Sequence, residues 1–266
     1  MTQRSTTWAA GDLYEPYVGR WSRKVAPRFV DWLGLGPQLK WLDVGCGTGA
    51  LTQTLLDQAQ PASVLGIDAS AGFVGHARAH VADPRASFEV GDAQALSVAP
   101  GSFDAAVTGL VLNFLPEPGR AVAGMARAVK PGGTVAAYVW DYAGGMELMR
   151  YFWNAAVELD PAAAALDEGR RFPALCAPDR LEALFADAGL SGVELHTIEI
   201  ETPFKDFDDY WSPFLGGQGP APGYAMSLSE EDRGRLRERI RQALPMRADG
   251  GIALSARAWA VRGLVG

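Results

Sequence analysis

The chain has 266 residues, with apolar and charged fractions of 48% and 21%. These suit one globular domain with room for an inserted cap. The 31 glycines and 17 prolines follow no short period, which excludes collagen-like and low-complexity chains. The formal net charge of -7 disfavours a nucleic-acid partner. Two cysteines, Cys46 and Cys176, make no disulfide framework. MTQRSTTWAAGD at the N-terminus lacks an apolar signal core, and no run of 18 apolar residues is free of charge. The expectation is a soluble cytoplasmic protein with no membrane partner.

Apolar residues in 22–33 fall at helical spacing (Val25, Phe29, Val30, Leu33), with Ser22 as a candidate N-cap and LGLGPQ as the stop. KWLDVG (40–45) reads as a buried strand, and 49–58 as a helix on Leu51, Leu55 and Leu56. Strands at 63–70, 86–93 and 102–110 alternate with helices at 72–81 and 117–129. KPGG marks a turn before a fifth strand at 134–142. This β/α alternation predicts a parallel sheet with helices on both faces and functional loops at the C-terminal strand ends. Residues 143–177 read as an insertion, part helical and part soft. A helix follows at 178–189, with Asp179 as cap and Gly189 as stop, then a strand at 193–200. KDFDDYWSPFLGGQGPAPG reads as a long irregular loop over 205–223. A serine-capped helix spans 227–244, and its arginines between Arg233 and Arg241 form a solvated face. A closing strand at 251–263 is expected to pair antiparallel with 193–200.

The strongest local signal is LDVGCGTGA, 42–50. Gly45, Gly47 and Gly49 follow a strand and open a helix, so the backbone can turn tightly and present free N–H groups to a ligand. Asp68 ends the next strand; its carboxylate suits a ribose diol or a helix cap. Asp92 ends the third strand and suits an exocyclic amine or a turn. Asp43 lies among apolar residues before the glycines, where a buried carboxylate needs partners: loop N–H groups, or the ammonium of a ligand. A carboxylate there suits a cation better than a pyrophosphate. GCGTGA also fits a dinucleotide fingerprint, yet no second nucleotide half follows residue 143. No Walker lysine follows Gly49 either.

The ordered set WLDVGCGTG, GIDAS, VGDA, FDAAVTGLVLNFLPEPGRAVAGMARAVKPGG and VAAYVWDY resembles class I S-adenosylmethionine (SAM)-dependent methyltransferases, in particular the bacterial small-molecule group. The likeness covers 40–142 and extends roughly to 200. It implies a Rossmann-like α/β fold with a seven-stranded sheet in the order 3-2-1-4-5-7-6, the last strand antiparallel. It also implies SAM as cofactor and a small-molecule methyl acceptor. By resemblance, Gly45, Cys46 and Gly47 line the methionine part of SAM. Asp68 takes the ribose hydroxyls with Ala69 beside the adenine, and Asp92 takes the adenine amine with Ala93 flanking. Gly109 and Leu110 close over the cofactor. YEPYVGRWSR resembles an N-terminal cap from which Tyr14, Tyr17 or Arg23 reaches the SAM carboxylate. YWSPFLGGQGPAPGY resembles a bacterial subgroup. The sequence departs from many relatives at Asn113, where they carry histidine, and it has no N/D-P-P-Y after the fourth strand.

The expected organisation is a single methyltransferase domain, 1–266: an N-terminal cap and helix at 1–33, a SAM-binding core at 40–142, and cap segments at 143–177 and 205–245. A monomer or homodimer is expected. A non-catalytic SAM-binding protein, or a protein or RNA methyltransferase, is the alternative. No catalytic triad or metal site is read, and His76 and His80, four apart on a helix, read as surface residues. Candidates to contact the acceptor are Tyr14, Tyr17, Trp21, Asn113, Trp140, Tyr142, Phe152, Trp211, Phe214 and Tyr224. Residues 11–23 and 205–224 are expected to form a lid.

Overall fold

The computed structural model describes residues 15–171, 177–216 and 219–266, residues 15 and 16 by their backbone alone. A π-turn at Glu15–Gly19 leads into helix α1 (Arg20–Leu33), which starts before the expected cap and carries Pro27 inside it. Strand β1 (Lys40–Val44) runs into the glycine loop and α2 (Ala50–Thr54), which a π-turn extends to Ala59. Next come β2 (Ser63–Asp68), α3 (Ala71–His80), β3 (Ala86–Val90), β4 (Phe103–Gly109), α4 (Pro118–Ala128) and β5 (Val129–Trp140). Beyond β5 lie α5 (Glu147–Leu159), α6 (Glu168–Arg171), α7 (Pro178–Asp187) and β6 (Ser191–Phe204). Then α8 (Phe207–Trp211), α9 (Pro220–Ser227), α10 (Glu230–Ala243) and β7 (Ile252–Leu264) complete the chain.

The sheet has seven strands in the order β3-β2-β1-β4-β5-β7-β6, as expected, with β7 antiparallel. Strands β1 to β5 pair in parallel: Asp43 lies beside Gly66 of β2 and Val107 of β4, and Thr108 beside Ala137 of β5. Each central strand is apolar on both faces because helices cover both, the reason parallel sheets bury near-continuous apolar runs.

Four readings need correction. The KPGG stretch is not a turn before β5 but part of it. Register slips there, so that Phe103 and Ala105 face Val129 and Thr134. Gly132 holds φ 77°, and a Cβ on Gly133 would lie 2.5 Å from the Asp104 carbonyl oxygen, so two glycines let the strand bulge and still pair. The described residues of 205–223 are not an irregular loop. Residues Phe207–Trp211 and Pro220–Ser227 are α-helical and Ser212–Gly216 is a 3₁₀ turn, because Phe207, Tyr210, Trp211 and Phe214 recur at helical spacing and are all buried. The soft part of 143–177 contains the 3₁₀ turn Pro161–Ala165 and α6. Two caps also move. Ser22 lies inside α1, and α7 is capped by Ala177 with Pro178 at its first position, while Gly189 does stop it at φ 81°.

The chain divides into two compact units. The sheet unit comprises Ser22–Val139, Ala174–Ile198 and Ala258–Gly266. Its main core sets Leu42, Val44, Ala106 and Val139 against Val122 and Met125 of α4 and Phe185 of α7. On the opposite face Phe29 of α1 packs on Tyr138, ring centroids 4.7 Å apart. The aromatic unit comprises Trp140–Pro173 and Glu199–Arg257 with the chain up to Trp21. Its core is a ring network: Phe214 stacks on Phe152 at 4.5 Å and meets Tyr17 edge-on at 5.4 Å. Among the described residues no helix is long and apolar enough to cross a membrane.

Candidate cofactor site

The glycine loop is held by β2. The N–H groups of Gly45 and Cys46 both donate to the Ile67 carbonyl, at 2.7 and 3.0 Å. Gly45, Gly47 and Gly49 have φ of 74°, 53° and 89°, left-handed values that favour glycine. Space separates their roles. A Cβ on Gly45 would lie 2.4 Å from Val111 Cγ2, and one on Gly49 would lie 2.9 Å from Val81 Cγ2. Those glycines admit neighbouring segments. A Cβ on Gly47 would meet no protein atom within 4 Å, so the loop leaves open space there.

Asp68 laces three strand ends together. Its Oδ2 accepts the Gly47 N–H at 3.0 Å, its Oδ1 accepts the Ser70 N–H at 2.8 Å, and its backbone carbonyl accepts the Gly91 N–H at 3.0 Å. Ser70, not Asp68, caps α3, so the capping alternative for Asp68 fails. Burial raises the Asp68 pKa against the lowering effect of the two N–H donors. Ala69 beside it is exposed.

Asp43 is 1% exposed. The Thr52 hydroxyl donates to its Oδ2 at 2.7 Å, while its Oδ1 has no partner. Burial pushes its carboxyl up to about 7, opposed by Thr52 and reinforced by Asp68. The Thr52 contact was missed in the sequence; its signal is the spacing that puts one turn of α2 back over the end of β1. Cys46 is buried, and burial with the Asp43 and Asp68 charges drives its thiol pKa up, so the sulfur stays protonated and packs against Gly66.

Asp92 is exposed, and its carboxylate accepts the Gln94 N–H at 2.8 Å, capping the short turn Ala93–Ala95 with Ala93 buried. The turn-residue reading therefore holds, and it leaves lone pairs on the carboxylate for a ligand. Beyond β4, Gly109 lies under Tyr138, whose hydroxyl would sit 2.5 Å from an added Cβ. Leu110 holds φ 63° and donates its N–H to the Tyr138 carbonyl at 2.8 Å.

Residues 42–137 match the family model described as "Methyltransferase domain". Over that segment the chain is similar to the class I SAM-dependent methyltransferases. Over 103 residues it is 39% identical to a trans-aconitate 2-methyltransferase of Deinococcus radiodurans, covering 39% of this chain and 38% of that one. Over 116 residues it is 39% identical to a demethylmenaquinone methyltransferase of Renibacterium salmoninarum, covering 43% and 45%. The chain thus spans less than half the length of these curated relatives. A Haemonchus contortus phosphoethanolamine N-methyltransferase 2, solved with phosphomonomethylethanolamine and S-adenosylhomocysteine, shares the fold. Its TM-score is 0.57 at 16% identity, over 93% of this chain and 53% of the other.

S-adenosylmethionine is the cofactor of this methyltransferase fold, and the residues present fit it. It joins an adenosine to a sulfonium and an α-amino acid. The open space at Gly47, the unpartnered oxygen of Asp43 and the strand-end acids Asp68 and Asp92 meet those parts in chemical kind. A phosphate cofactor would set its charge against these carboxylates.

The remaining expected contacts are dispersed. Tyr14 lies outside the described residues. Arg23 is exposed on α1, in the sheet unit. Tyr17 is buried in the aromatic unit, where its hydroxyl donates to Met149 Sδ at 3.1 Å. In that unit Trp153 Nε1 donates to the buried Glu168 carboxylate, and Arg150 forms a two-pronged pair with Asp167. Burial pushes the Glu168 carboxyl up to about 7. Arg20 lies over Trp21 and Phe204 at 4.3 and 4.7 Å and reaches Asp209 at 2.8 Å. His76 and His80 stack at 3.9 Å, with His80 Nδ1 on the His76 carbonyl oxygen at 2.8 Å; no cluster of three metal-binding side chains exists among the described residues.

Proposed function

We propose that the protein transfers the methyl group of S-adenosylmethionine to a small-molecule acceptor. The observation that carries this reading is Asp68, a half-buried carboxylate fixed by two backbone N–H groups at the mouth of a glycine loop. When bound, the cofactor supplies an electrophilic sulfonium methyl group. The chain's work is to orient and desolvate. The N–H bonds to Gly47 and Ser70 fix the carboxylate plane of Asp68, so its remaining lone pairs face a ribose diol without rotamer loss. Asp43 places negative charge beside the loop, suited to an ammonium. The leaving thioether is neutral, so no general acid is required. The small-molecule class is supported by the relatives' names, which denote methyl transfer to trans-aconitate and demethylmenaquinone. The acidic net charge of -7 is a poor match for RNA.

The test is S-adenosylhomocysteine release from the full chain. Separate panels present small polycarboxylic acids, quinols and phenols, short peptides and bulk RNA. Turnover with a small-molecule panel is the expected result. Turnover on RNA or peptide alone, or tight cofactor binding with no turnover on any panel, overturns the small-molecule reading.

A further inference from the structure

The last turn of helix α3 carries two imidazoles that the cofactor site does not use. His76 and His80 stand four residues apart and so share one face of the helix. Their rings stack, with centroids 3.9 Å apart and planes 17° apart. His76 is half-buried and His80 is exposed, so solvent reaches both.

The surroundings of the pair suit a metal ion. His80 Nδ1 lies 2.8 Å from the His76 carbonyl oxygen. That oxygen has no proton to give, so Nδ1 carries the hydrogen, and in the neutral ring the lone pair lies on Nε2. Metal-bound imidazoles are commonly held in this way, by donating the other ring N–H to a carbonyl. His80 is also the final residue of α3, where the negative end of the helix dipole favours a cation. Arg78, two residues from each histidine, lies on the opposite side of the helix. Its guanidinium is spent on the Phe88 carbonyl, at 2.5 and 3.2 Å. The next residues after the two histidines, Ala77 and Val81, seat this turn on the glycine loop. A Cβ added to Gly49 would lie 3.4 Å from Ala77 Cβ and 2.9 Å from Val81 Cγ2. An ion held by the histidines braces that turn from its outer side.

We infer that His76 and His80 form a two-imidazole site for a divalent ion of the nickel, copper or zinc kind. Imidazole nitrogen selects such ions over calcium and magnesium, which take oxygen. A shared ion lies in the plane of each ring, so the stack opens on binding. His76 turns about Cβ–Cγ, while His80 keeps its bond to the backbone. No group of three metal-binding side chains exists among the described residues, so water fills the other positions. The site is therefore open and exchangeable, unlike a closed structural one. It stands apart from methyl transfer, and its test uses no cofactor.

Nickel chloride is titrated into the full chain by calorimetry, with thermal melting alongside. The expected result is one ion per chain. His76→Ala and His80→Ala should each weaken it by about tenfold or more, because either change leaves a single imidazole. Alanine is the best helix former, so neither variant loses α3. His196→Ala removes an imidazole stacked on Trp32 and should bind nickel within about twofold of wild type. Nickel should raise the melting temperature of wild type and H196A, and leave that of H76A and H80A unmoved. Binding that survives both single variants, or falls in only one of them, overturns the inference. So does a loss confined to H196A. Wild-type protein whose melting temperature stays fixed up to about 1 mM nickel overturns it as well.

Discussion

The glycine-loop region and the aromatic unit treat buried acids in opposite ways. In the aromatic unit Asp167 is closed by the two prongs of Arg150, and Glu168 takes the indole N–H of Trp153. In the sheet unit Asp43 is equally buried but has one hydrogen-bonded oxygen and one bare one, and Asn113 has no partner at all. Burial lifts Asp43 and Glu168 alike, each up to about 7. Their environments therefore differ less in polarity than in completeness. The difference lies in the acids themselves, since Arg150 Nε in the aromatic unit is also buried without a hydrogen-bond partner.

The largest test of this contrast is in the aromatic unit. Phe214 is fully buried between Phe152, Tyr17 and Tyr210. Phe214→Ala should cost roughly 3–5 kcal/mol in urea unfolding, with little change in S-adenosylhomocysteine affinity for the protein that remains folded. An affinity loss as large as that of an Asp68 variant would break the division of labour. Gly45→Ala should lose about 2–4 kcal/mol of stability through the left-handed backbone and the Val111 clash, and should abolish detectable cofactor binding. Unchanged binding in G45A would show that the loop adapts and that its geometry is not needed.

Asp68→Ala should weaken S-adenosylhomocysteine by about 1–3 kcal/mol in calorimetry, the usual scale for charge-assisted hydrogen bonds. The smallest effects read the two lifted acids against each other. Glu168 ionises at about 7 in the folded chain against an ordinary 4.5. The folded state therefore keeps a proton that the unfolded state releases, and stability falls as pH rises between those values. Glu168→Gln should remove that slope, up to about 1 kcal/mol per pH unit, from the melting profile. Asp43 carries the same sign for stability, since its carboxyl is also raised. Its ionised form, however, is the one an ammonium selects. S-adenosylhomocysteine affinity should thus rise with pH through about 7 in the wild type and in E168Q, and stay flat in Asp43→Asn. A flat wild-type profile would separate Asp43 from the ligand.

Much of this was legible in the chain itself. The β/α alternation, the three glycines and the acids at the ends of successive strands are local, because period, backbone freedom and spacing act over a few residues. Asp68 could be singled out since it ends the strand that follows the glycine loop, a short-range pattern. The aromatic segment was misread because GGQGPAPG is composed like a loop, while the period of Phe207, Tyr210, Trp211 and Phe214 speaks for helix. Burial of those rings outweighed the glycines and prolines. KPGG was misread in the same way, since pairing with Val265 recruits it into β5.

What the sequence determined alone was the order of elements, the strand-end positions of its acids and the glycine loop that a nucleoside ligand requires. What only the tertiary structure decided was which polar groups found partners. Thr52 reaches Asp43, Trp153 reaches Glu168, and Val111 sets the turn of Asn113 against Gly45. Hydrogen-bond satisfaction is a property of three-dimensional neighbourhoods, set by residues distant in the chain. A buried amide with no partner therefore looks, in the sequence, like any other asparagine.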